Sequence, residues 1–578
     1  MSRMTPLPGL HPDKLRRGPA EFATSPKTAP AARAAIDALW RAGAGSLFTV
    51  PGGSVASLLH EALQHPHLQT VVTKSENGAT FAAAGYARAT GRPAAAMVTS
   101  GPGVLNGLMG LASAHTDGIP LVLLVGEVAR AHHGHGAIQD GSSAGLRIDA
   151  VLRPLCKRVV VVSNADALTA AVVDALEHAM ATPRGPVAIL VPRDLASKPV
   201  TAAVTVVPQR VQPRLECDLS GLAARCQEAE RILLLAGSGC RWGSAPARLA
   251  LLSERLGAPV ATTPAAKGVF PESHPRSLGA WGMGGDGRAS AHIRAGLDVL
   301  VVLGSGLGDL ASDGFSDVLH APTFVQVDAR LSRIGRHYAV THAFGVPAAV
   351  FLDALLVALG DGPPGIAPRA PVSPACEADE ASSESRPLTC ADALRTAQRL
   401  QQPGTRWLID SGQHYFHAVE HLRVDAPERF VAMTGLGAMG SSLGAAIGTS
   451  CAQPAAPVHV VCGDGAFAMM GSEISTASRL GLAPTVLVMN DGALGMVQLG
   501  MQSAFGTDAA FPTGPLDVVA VAQGFGAHAS RVSSIDELTQ ALRSSPGDRP
   551  HVIDLQIAPY ESPQPNARTR ALVSEFQS

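Results

Sequence analysis

The segment Val458-His-Val-Val-Cys-Gly-Asp-Gly-Ala-Phe467 is an apolar run that opens onto Gly-Asp-Gly. A second apolar run, Pro484-Thr-Val-Leu-Val-Met-Asn-Asp-Gly492, ends in Asn490 and Asp491. We interpret both runs as strands that deliver oxygen ligands to one edge of a sheet. Glycine lets the backbone approach phosphate oxygens, and Mg²⁺ prefers carboxylate, carbonyl and phosphate oxygens. The pattern indicates a cradle for Mg²⁺ and a diphosphate, although Gly-Asp-Gly alone also fits an ordinary strand-to-helix turn.

Composition and charge exclude several classes of protein. The 578 residues carry a net charge of -2 with 16% charged residues, which gives no basic field for nucleic acid. Residues 1–30 contain no continuous apolar core of a signal peptide, and no apolar run reaches the roughly 18 residues that a membrane span needs. The eight cysteines include no Cys-x-x-Cys pair, as is typical of thiols in a reducing compartment. We therefore expect a cytoplasmic protein that binds neither nucleic acid nor membrane.

Strand-like apolar runs alternate with helical segments in three blocks of the chain. This alternation, with only 4% aromatic residues, favours an α/β fold with parallel sheets and crossover helices. The predicted strands lie at 47–50, 68–73, 94–99, 121–125, 187–191, 231–236, 259–262, 299–303 and 324–328. The predicted division is an arm at 1–30, α/β domains at 31–195, 215–360 and 388–560, a Pro- and Ser-rich linker at 361–387, and a tail at 561–578.

A carboxylate stands at a strand-to-helix junction in the first block. Glu76 follows the predicted strand end at Lys74 and Ser75 and begins an Ala-rich helix. Its side chain is well placed to point out of the sheet edge, or it merely complements the helix dipole. The turn Thr99-Ser-Gly-Pro-Gly103 is a second Gly-rich strand end, where open sheets usually bind ligands.

Several motifs occur in a fixed order along nearly the whole chain. They are Ser75-Glu-Asn77, Gly85-Tyr-Ala-Arg-Ala-Thr-Gly91, Val98-Thr-Ser-Gly-Pro-Gly103, Asp117-Gly-Ile-Pro120, Gly185-Pro-Val187, Lys267-Gly-Val-Phe-Pro-Glu272, Gly412-Gln-His414, Gly435-Leu-Gly-Ala-Met-Gly440, Gly463-Asp-Gly465 and Leu494-Gly-Met-Val497. This set closely resembles the motifs of thiamine-diphosphate (ThDP) enzymes of the acetohydroxyacid (acetolactate) synthase type. The resemblance implies three doubly wound parallel-sheet domains: pyrimidine-binding, middle and diphosphate-binding. It also implies a homodimer or homotetramer with active sites between subunits.

The resemblance assigns the residues that activate the cofactor. Glu76 would hydrogen-bond the pyrimidine N1′ and favour the imino tautomer that removes the thiazolium C2 proton. Met439 would be the bulky wedge beneath the thiazolium. The carbonyl of Gly437 would accept a hydrogen bond from the 4′-amino group.

The same resemblance assigns the diphosphate and metal contacts. The expected diphosphate contacts are Gln413, His414, Gly463, Gly465 and Ala466, and the expected Mg²⁺ ligands are Asp464, Asp491 and the Ala493 carbonyl. Position 491 lies 27 residues after Asp464, where the family has Asn. Aspartate still offers an oxygen to Mg²⁺ but adds a negative charge beside the diphosphate.

Missing proton donors favour carboligation, which joins an acyl-anion equivalent from a 2-oxo acid such as pyruvate to a second carbonyl acceptor. Simple decarboxylases of the superfamily place acids at positions that correspond to Val497 and Gly53 here, and neither residue can donate a proton. Gln139, which matches a Gln of the synthase's Phe-Gln-Glu motif, is a further catalytic candidate. A non-oxidative 2-oxo acid decarboxylase or C–C lyase is the alternative enzyme, and an inactive cofactor-binding paralogue is the alternative class.

Three departures separate the chain from the branched-chain biosynthetic enzyme, and the first is Ile138-Gln139-Asp140 in place of Phe-Gln-Glu. Gln498-Leu-Gly-Met501 replaces Arg-Gln-Trp-Gln, so the Trp that shapes the acceptor pocket is missing. Gly306-Leu-Gly-Asp-Leu310 replaces the flavin-associated Arg-Phe-Asp-Asp-Arg, so both arginines are lost. A flavin diphosphate would lose its matching cations, and FAD is possible but not favoured. We expect an acceptor other than pyruvate or 2-oxobutyrate.

Overall fold

The computed structural model describes residues 28–201, 214–360, 387–507, 509–545 and 547–559. Residues 1–27 of the predicted arm, 361–386 of the predicted linker and the whole predicted tail lie outside the described residues. Within the described ranges, no helix combines the length and the apolar character needed to cross a membrane.

The first domain is a parallel six-stranded sheet with helices on both faces. Its strands are β1 (Thr28–Pro30), β2 (Ser46–Thr49), β3 (Gln69–Val72), β4 (Ala94–Thr99), β5 (Leu121–Glu127), β6 (Arg158–Val161), β7 (Val187–Pro192) and β8 (Pro199–Thr201). Its helices are α1 (Ala31–Arg41), α2 (Ala56–Gln64), α3 (Glu76–Thr90), α4 (Pro102–Thr116), α5 (Ile148–Leu152), α6 (Ala167–Met180) and α7 (Arg193–Ala196). The sheet order is β3-β2-β4-β5-β7-β6, and β1 pairs antiparallel with β8 outside it. Strands β4 and β5 are buried along their whole length because helices cover both faces.

The middle domain repeats this architecture. Its strands are β9 (Ile232–Ala236), β10 (Val260–Thr262), β11 (Ser277–Ala280), β12 (Val299–Leu303), β13 (Thr323–Val327) and β14 (His342–Phe344). Its helices are α8 (Ser220–Glu228), α9 (Ala245–Leu256), α10 (Gly287–Arg294) and α11 (Ala348–Ala358). The strands are parallel in the order β11-β10-β9-β12-β13-β14.

The third domain has a third parallel sheet. Its strands are β15 (Arg406–Ile409), β16 (Phe430–Ala432), β17 (Val458–Gly463), β18 (Thr485–Asn490), β19 (His528–Val532) and β20 (His551–Gln556). Its helices are α12 (Cys390–Leu400), α13 (Gln413–His421), α14 (Ser441–Ala452), α15 (Asp464–Met470), α16 (Glu473–Leu480), α17 (Gly495–Phe505), α18 (Val518–Gly524) and α19 (Ile535–Arg543). The strands run in the order β16-β15-β17-β18-β20-β19.

The predicted fold class, three doubly wound parallel-sheet domains, is confirmed. In the third sheet the chain moves outward from β15 to β16 and then returns to place β17 on the other side of β15. Ligands of open α/β sheets bind where the strand order reverses, beyond the carboxyl ends of the strands. The ends of β15 and β17 therefore mark the expected binding edge of this domain.

Helix α3 of the first domain packs directly against α14 of the third. A side-chain Cβ at Gly448 would lie 1.7 Å from the Ala82 carbonyl oxygen, and one at Gly85 would lie 2.2 Å from the Ala445 carbonyl oxygen. The two backbones can approach this closely only because glycine has no side chain. We call this contact the α3–α14 seam, and it joins the first and third domains.

A buried ion pair of the middle domain is hydrogen-bonded to the third domain. The Lys267 ammonium lies 2.5 Å from a Glu272 carboxylate oxygen, and both side chains are buried. The other Glu272 oxygen accepts the Val424 N–H at 2.8 Å. Burial lowers the pKa of Lys267, and the Glu272 charge opposes that shift. Loss of Glu272 would leave an uncompensated buried cation.

Substitution of Gly448 by Ala is expected to lower the free energy of unfolding by about 1–3 kcal/mol, because the added methyl group would overlap a backbone oxygen that cannot move alone. Urea unfolding measures the change. Gly221 in α8 is the matched control, since a Cβ there would meet no atom within 4 Å. Gly221→Ala should therefore leave stability unchanged or slightly raised. Equal effects of the two substitutions would show that the α3–α14 seam is not tightly packed.

Candidate active site

Two carboxylates meet at the binding edge of the third domain. Asp464 follows β17, and Asp491 follows the neighbouring strand β18. Burial raises the pKa of Asp464, and the Thr513 hydroxyl donates a hydrogen bond to its carboxylate. Burial, and then the charge of Asp464, raise the pKa of Asp491 to about 6. A divalent cation between these groups would relieve the unfavourable proximity of two like charges.

The loop after β18 holds Asp491 in this position. The side chain of Asn490 turns away and donates a hydrogen bond to Asp554 at 2.8 Å. The Ala493 N–H donates to Asp491 at 3.4 Å, and Ala493 pairs with Pro512 in an isolated β-bridge. Two carboxylates cannot complete the octahedral shell of Mg²⁺, so the Ala493 carbonyl, water and phosphate oxygens would supply the rest. The donor set therefore fits a magnesium ion with a bound phosphate.

Gln413 and His414 are buried at the start of α13, directly beyond β15. His414 is 3% exposed, and its ring carbon Cε1 is 3.7 Å from the position of a Cβ on Gly463. Burial lowers the pKa of His414 to about 4, so the ring is neutral near pH 7. Its Nε2 has no hydrogen-bond partner among the described residues. A buried polar atom without a partner is costly, and a phosphate beside Gly463 would provide one.

The loop that carries Gly437 and Met439 connects β16 to α14. Gly437 has φ +71° and Gly440 has φ +84°, a left-handed conformation that favours glycine. The Met439 methyl carbon lies 3.2 Å from the position of a Cβ on Gly465. The structure thus brings the predicted wedge residue into contact with the Gly-Asp-Gly turn.

Sequence reasoning missed Asp410, which fixes this loop. Asp410 is 1% exposed and lies between β15 and α13. Its carboxylate accepts the Gly440 N–H at 2.8 Å, the Ser442 N–H at 2.9 Å and the Ser442 hydroxyl at 2.6 Å. An acidic residue directly after a buried strand and just before Gly-Gln-His was the available signal.

Glu76 and Gln139 lie at the carboxyl edge of the first sheet. The Glu76 carboxylate accepts a hydrogen bond from the Asn106 side chain at 3.1 Å, a partner that sequence reasoning missed. A Cβ on Gly103 would lie 3.5 Å from a Glu76 carboxylate oxygen, and one on Gly101 would lie 3.6 Å from Gln139. Gln139 is exposed and has φ +63°. The Gly-Pro-Gly turn therefore lies against both predicted catalytic residues, Glu76 on one side and Gln139 on the other.

Within one chain, α4 contacts Glu76 and the loop that carries Met439 at different points along its length. Helix α4 contacts Glu76 near its start, through Asn106, whereas its far end contacts the Met439 loop. There the Gly435 N–H donates to Asp117 at 3.2 Å. Asn106 and Asp117 are separated by roughly ten residues of helix, or about 15 Å. Glu76 and Gly435 of the Met439 loop therefore contact α4 at points about 15 Å apart.

A cavity of about 1530 Å³ lies between the first and middle domains, apart from the predicted site residues. Its lining includes Gly304 and Asp328 beyond the carboxyl ends of β12 and β13, and the cations Arg330 and Arg333. The Arg333 side chain packs over Gly306, 3.2 Å from the position of a Cβ there. The Arg333 side chain therefore lies against Gly306, in the segment 306–310 where the arginines of the flavin-associated motif are missing.

Comparisons with known proteins match each domain. Three family models fit the chain: thiamine pyrophosphate enzyme, N-terminal TPP binding domain, at residues 30–145; the central domain of the same enzymes at 219–355; and their C-terminal TPP binding domain at 410–555. The chain is 30% identical over 541 residues to a putative acetolactate synthase large subunit IlvB2 of Mycobacterium tuberculosis, covering 90% of this chain and 96% of that protein.

Two further similarities extend over most of the chain. An acetolactate synthase large subunit of Parasynechococcus marenigrum is 28% identical over 573 residues, covering 94% of this chain and 90% of that protein. A thiamine diphosphate-dependent 4-hydroxybenzoylformate decarboxylase of Rhodococcus jostii superposes with a TM-score of 0.81 at 21% identity, covering 92% of this chain and 100% of that chain. At that identity, the superposition shows a shared fold.

Replacement of Asp491 by Asn is expected to stabilise the metal-free protein near pH 7. The pKa of Asp491 is about 6 in the folded chain, against 3.8 for an ordinary Asp carboxyl. Because the folded pKa is the higher one, the wild type loses stability as the pH rises from about 4 to about 6, and the loss persists above that range. With allowance for solvent screening of this half-buried group, we expect a gain of about 1–2 kcal/mol for Asp491→Asn.

Urea unfolding of the metal-free proteins near pH 7 and near pH 5 measures this gain, which should shrink at the lower pH. Mg²⁺ provides the control, because a cation between the carboxylates should stabilise the wild type more than Asp491→Asn. The prediction fails if the two proteins have the same unfolding free energy near pH 7.

Proposed function

The chain belongs to the thiamine pyrophosphate (ThDP) enzyme family, with acetolactate synthase large subunits among its relatives, and from this premise we propose that it is a decarboxylating carboligase. It would transfer an acyl-anion equivalent from a 2-oxo acid such as pyruvate to a second carbonyl acceptor. Bound ThDP supplies the nucleophilic C2 carbon and the electron sink that decarboxylation of a 2-oxo acid needs.

The third domain would hold the diphosphate end of the cofactor. Gln413 and His414 would contact the diphosphate, and its charge would give the unpartnered Nε2 of His414 a partner. The backbone of Gly463, Gly465 and Ala466 would approach the phosphates. Asp464, Asp491 and the Ala493 carbonyl would bind Mg²⁺, which would join the diphosphate to the binding edge of the sheet.

The cofactor rings would lie between Glu76 and Met439. Glu76 would hold a proton at the pyrimidine N1′, the Gly437 carbonyl would accept from the 4′-amino group, and Met439 would support the thiazolium from below. The contact of Met439 with Gly465 supports this placement of the rings, because the wedge residue then lies beside the turn that would hold the diphosphate of the same cofactor. Gln139 would lie near the substrate, beside the turn that contacts Glu76.

The observation that carries the choice of carboligation is the apolar side chain at Val497. Val497 is 49% exposed and lies on α17, three residues after Leu494, which contacts the Gly465 position. Gly53 lies on the other half of the site, next to Gly52, whose Cβ position overlaps Thr99 beside Gly103. Neither half therefore offers a proton donor where simple decarboxylases place one, and the acyl-anion equivalent would persist until an acceptor arrives.

Two chains would complete each active site in a homodimer or homotetramer. Within one chain, Glu76 and Gly435 of the Met439 loop contact α4 about 15 Å apart, so Glu76 of one copy would face Met439 of another. Large apolar side chains are exposed near both halves, as a subunit interface requires: Leu105 and Met109 are each 46% exposed on α4, and Met469 is 60% exposed on α15.

We leave FAD out of the proposed cofactor set because the segment at 306–310 lacks both family arginines. Arg330 and Arg333 line the neighbouring cavity, so a visible absorption spectrum of the purified protein is the direct test. We also propose that the domain boundaries are those of the sequence division, with domains at 31–195, 215–360 and 388–560.

Purified protein supplied with ThDP, Mg²⁺, pyruvate and a panel of carbonyl acceptors is expected to release CO₂ and form a C–C bonded hydroxyketone, detected by mass spectrometry. Because Val497 cannot protonate the acyl-anion equivalent, free acetaldehyde should be a minor product. Val497→Glu places an acid at this exposed position and should shift the products toward acetaldehyde. Acetaldehyde as the main wild-type product would instead support a decarboxylase, and no CO₂ from any 2-oxo acid would indicate an inactive paralogue.

Mixing two inactive variants is expected to restore activity. A dimer of one Glu76→Gln chain and one Asp464→Asn chain has one site in which both residues are intact, if each site pairs Glu76 of one chain with Asp464 of the other. Random reassembly at equal amounts should then give about a quarter of the wild-type activity. Chains that carry both substitutions, mixed with either single variant, are the control and should stay inactive. No recovery in reassembled dimers would place each site within one chain.

A further inference from the structure

A buried carboxylate of the third domain contacts the backbone just before Glu76. Glu473, the first residue of α16, is 1% exposed. One of its oxygens accepts the N–H of Lys74 at 3.0 Å and the N–H of Ser75 at 3.2 Å. The other oxygen accepts the Thr476 hydroxyl at 2.7 Å. Glu473 is therefore bound on one side to its own helix and on the other to the start of α3.

We propose that Glu473 is a positioning residue that fixes the Glu76 carboxylate at the site where it holds the cofactor proton. The proposal rests on the role given to Glu76 in the proposed function. Glu473 would act through the backbone of Lys74 and Ser75, without contact to substrate or cofactor.

The physical basis is the set of hydrogen bonds that hold the backbone at the start of α3. The first N–H groups of a helix have no acceptor within the helix. Ser75 satisfies one of them, since its hydroxyl accepts the Gly78 N–H at 3.0 Å. The N–H groups just before the helix are satisfied by Glu473, and hydrogen bonds to a carboxylate are short and strong. A slide or rotation of the start of α3 would break both bonds and leave the buried Glu473 carboxylate with only its Thr476 partner.

Gly78 shows how closely Glu473 approaches α3. A Cβ at Gly78 would lie 1.9 Å from the Glu473 carboxylate oxygen that binds Lys74 and Ser75. Alanine at position 78 would therefore displace the carboxylate, although alanine is the better helix former. The contact between Glu473 and the start of α3 can therefore be disturbed by a substitution at Glu473 or by one at Gly78.

The α3–α14 seam and Glu473 restrain different parts of α3. The seam acts at Ala82 and Gly85, about 9 Å and 14 Å along the axis from Glu76. A restraint at that distance does not itself fix the first turn, where Asn106 holds the Glu76 carboxylate and Glu473 holds the backbone. Glu473 acts at the residues adjoining Glu76, so it sets the position of the catalytic carboxylate.

Exchange of the ThDP C2 proton tests the proposal before any 2-oxo acid is added. Glu473→Ala should slow this exchange about 10- to 100-fold, the effect of displacing a catalytic group by roughly 1 Å. Its affinity for ThDP should change little, because the diphosphate contacts are in another part of the third domain. Glu473→Gln should keep most of the exchange rate, since its amide oxygen can still accept both N–H groups.

Gly78→Ala completes a double-substitution cycle. Alone it should slow exchange to a similar extent, but in the Glu473→Ala chain, where the oxygen is gone, it should have no further effect. Glu272→Gln is the matched control, because it disturbs another buried carboxylate between domains. It should lower the melting temperature while the exchange rate stays at the wild-type value.

A wild-type exchange rate in ThDP-loaded Glu473→Ala would overturn the proposal, as would additive effects of Glu473→Ala and Gly78→Ala. Should Glu473→Ala fail to fold, Gly78→Ala alone decides: a wild-type exchange rate in that variant overturns the proposal. Normal exchange in Glu76→Gln would instead remove Glu76 from its proposed role. Failure to form a hydroxyketone from pyruvate would affect only the proposed reaction, because exchange requires no substrate.

Discussion

Close contact between α3 and α14 is the constraint on which the arrangement of the domains depends. Gly85 and Gly448 let the two backbones meet without a layer of side chains between them. Both helices are buried on nearly all sides, so each one packs against the neighbouring domain as well as against its own. A rigid contact of this kind determines where the ends of α3 lie relative to the third sheet, and therefore where Glu76 can point.

The proposed division of the active site between two chains rests on the same geometry. With α3 held against α14, α4 runs from Asn106 beside Glu76 to Asp117 beside the Gly435 backbone. One chain thus presents Glu76, the proposed proton-holding carboxylate, at one place and the proposed diphosphate cradle at another. Asp410 and Glu473 then have parallel roles: Asp410 orders the loop of Met439, and Glu473 orders the start of α3. Each is a buried carboxylate bound mainly to backbone N–H groups.

Sequence patterns predicted the elements that carry their own local signal. The long apolar strands from β2 to β5, β7, β9, β12 and β13 were located within a few residues, because fully buried parallel strands are continuous apolar runs. The strands β6, β11 and β14 were not predicted; they are short and lie at the sheet edges, and β11 contains a glycine. The short pair β1 and β8, and β15, β16, β19 and β20 of the third domain, were not predicted either. Local patterns give the type of an element but not its neighbours.

The same limit applies to the site. The Gly-Asp-Gly turn and Glu76 are visible in the sequence because each adjoins a strand end. Glu473 was not identified, since its partners lie 398 and 399 residues away and its surroundings resemble any helix start. The α3–α14 seam has a consequence for how such chains diverge. A backbone-to-backbone contact has no side chain that could adjust to a new partner, so α3 and α14 are exchangeable between relatives only as a matched pair. Chimeric enzymes with a domain junction between these helices would inherit a mismatch even if every catalytic residue were retained.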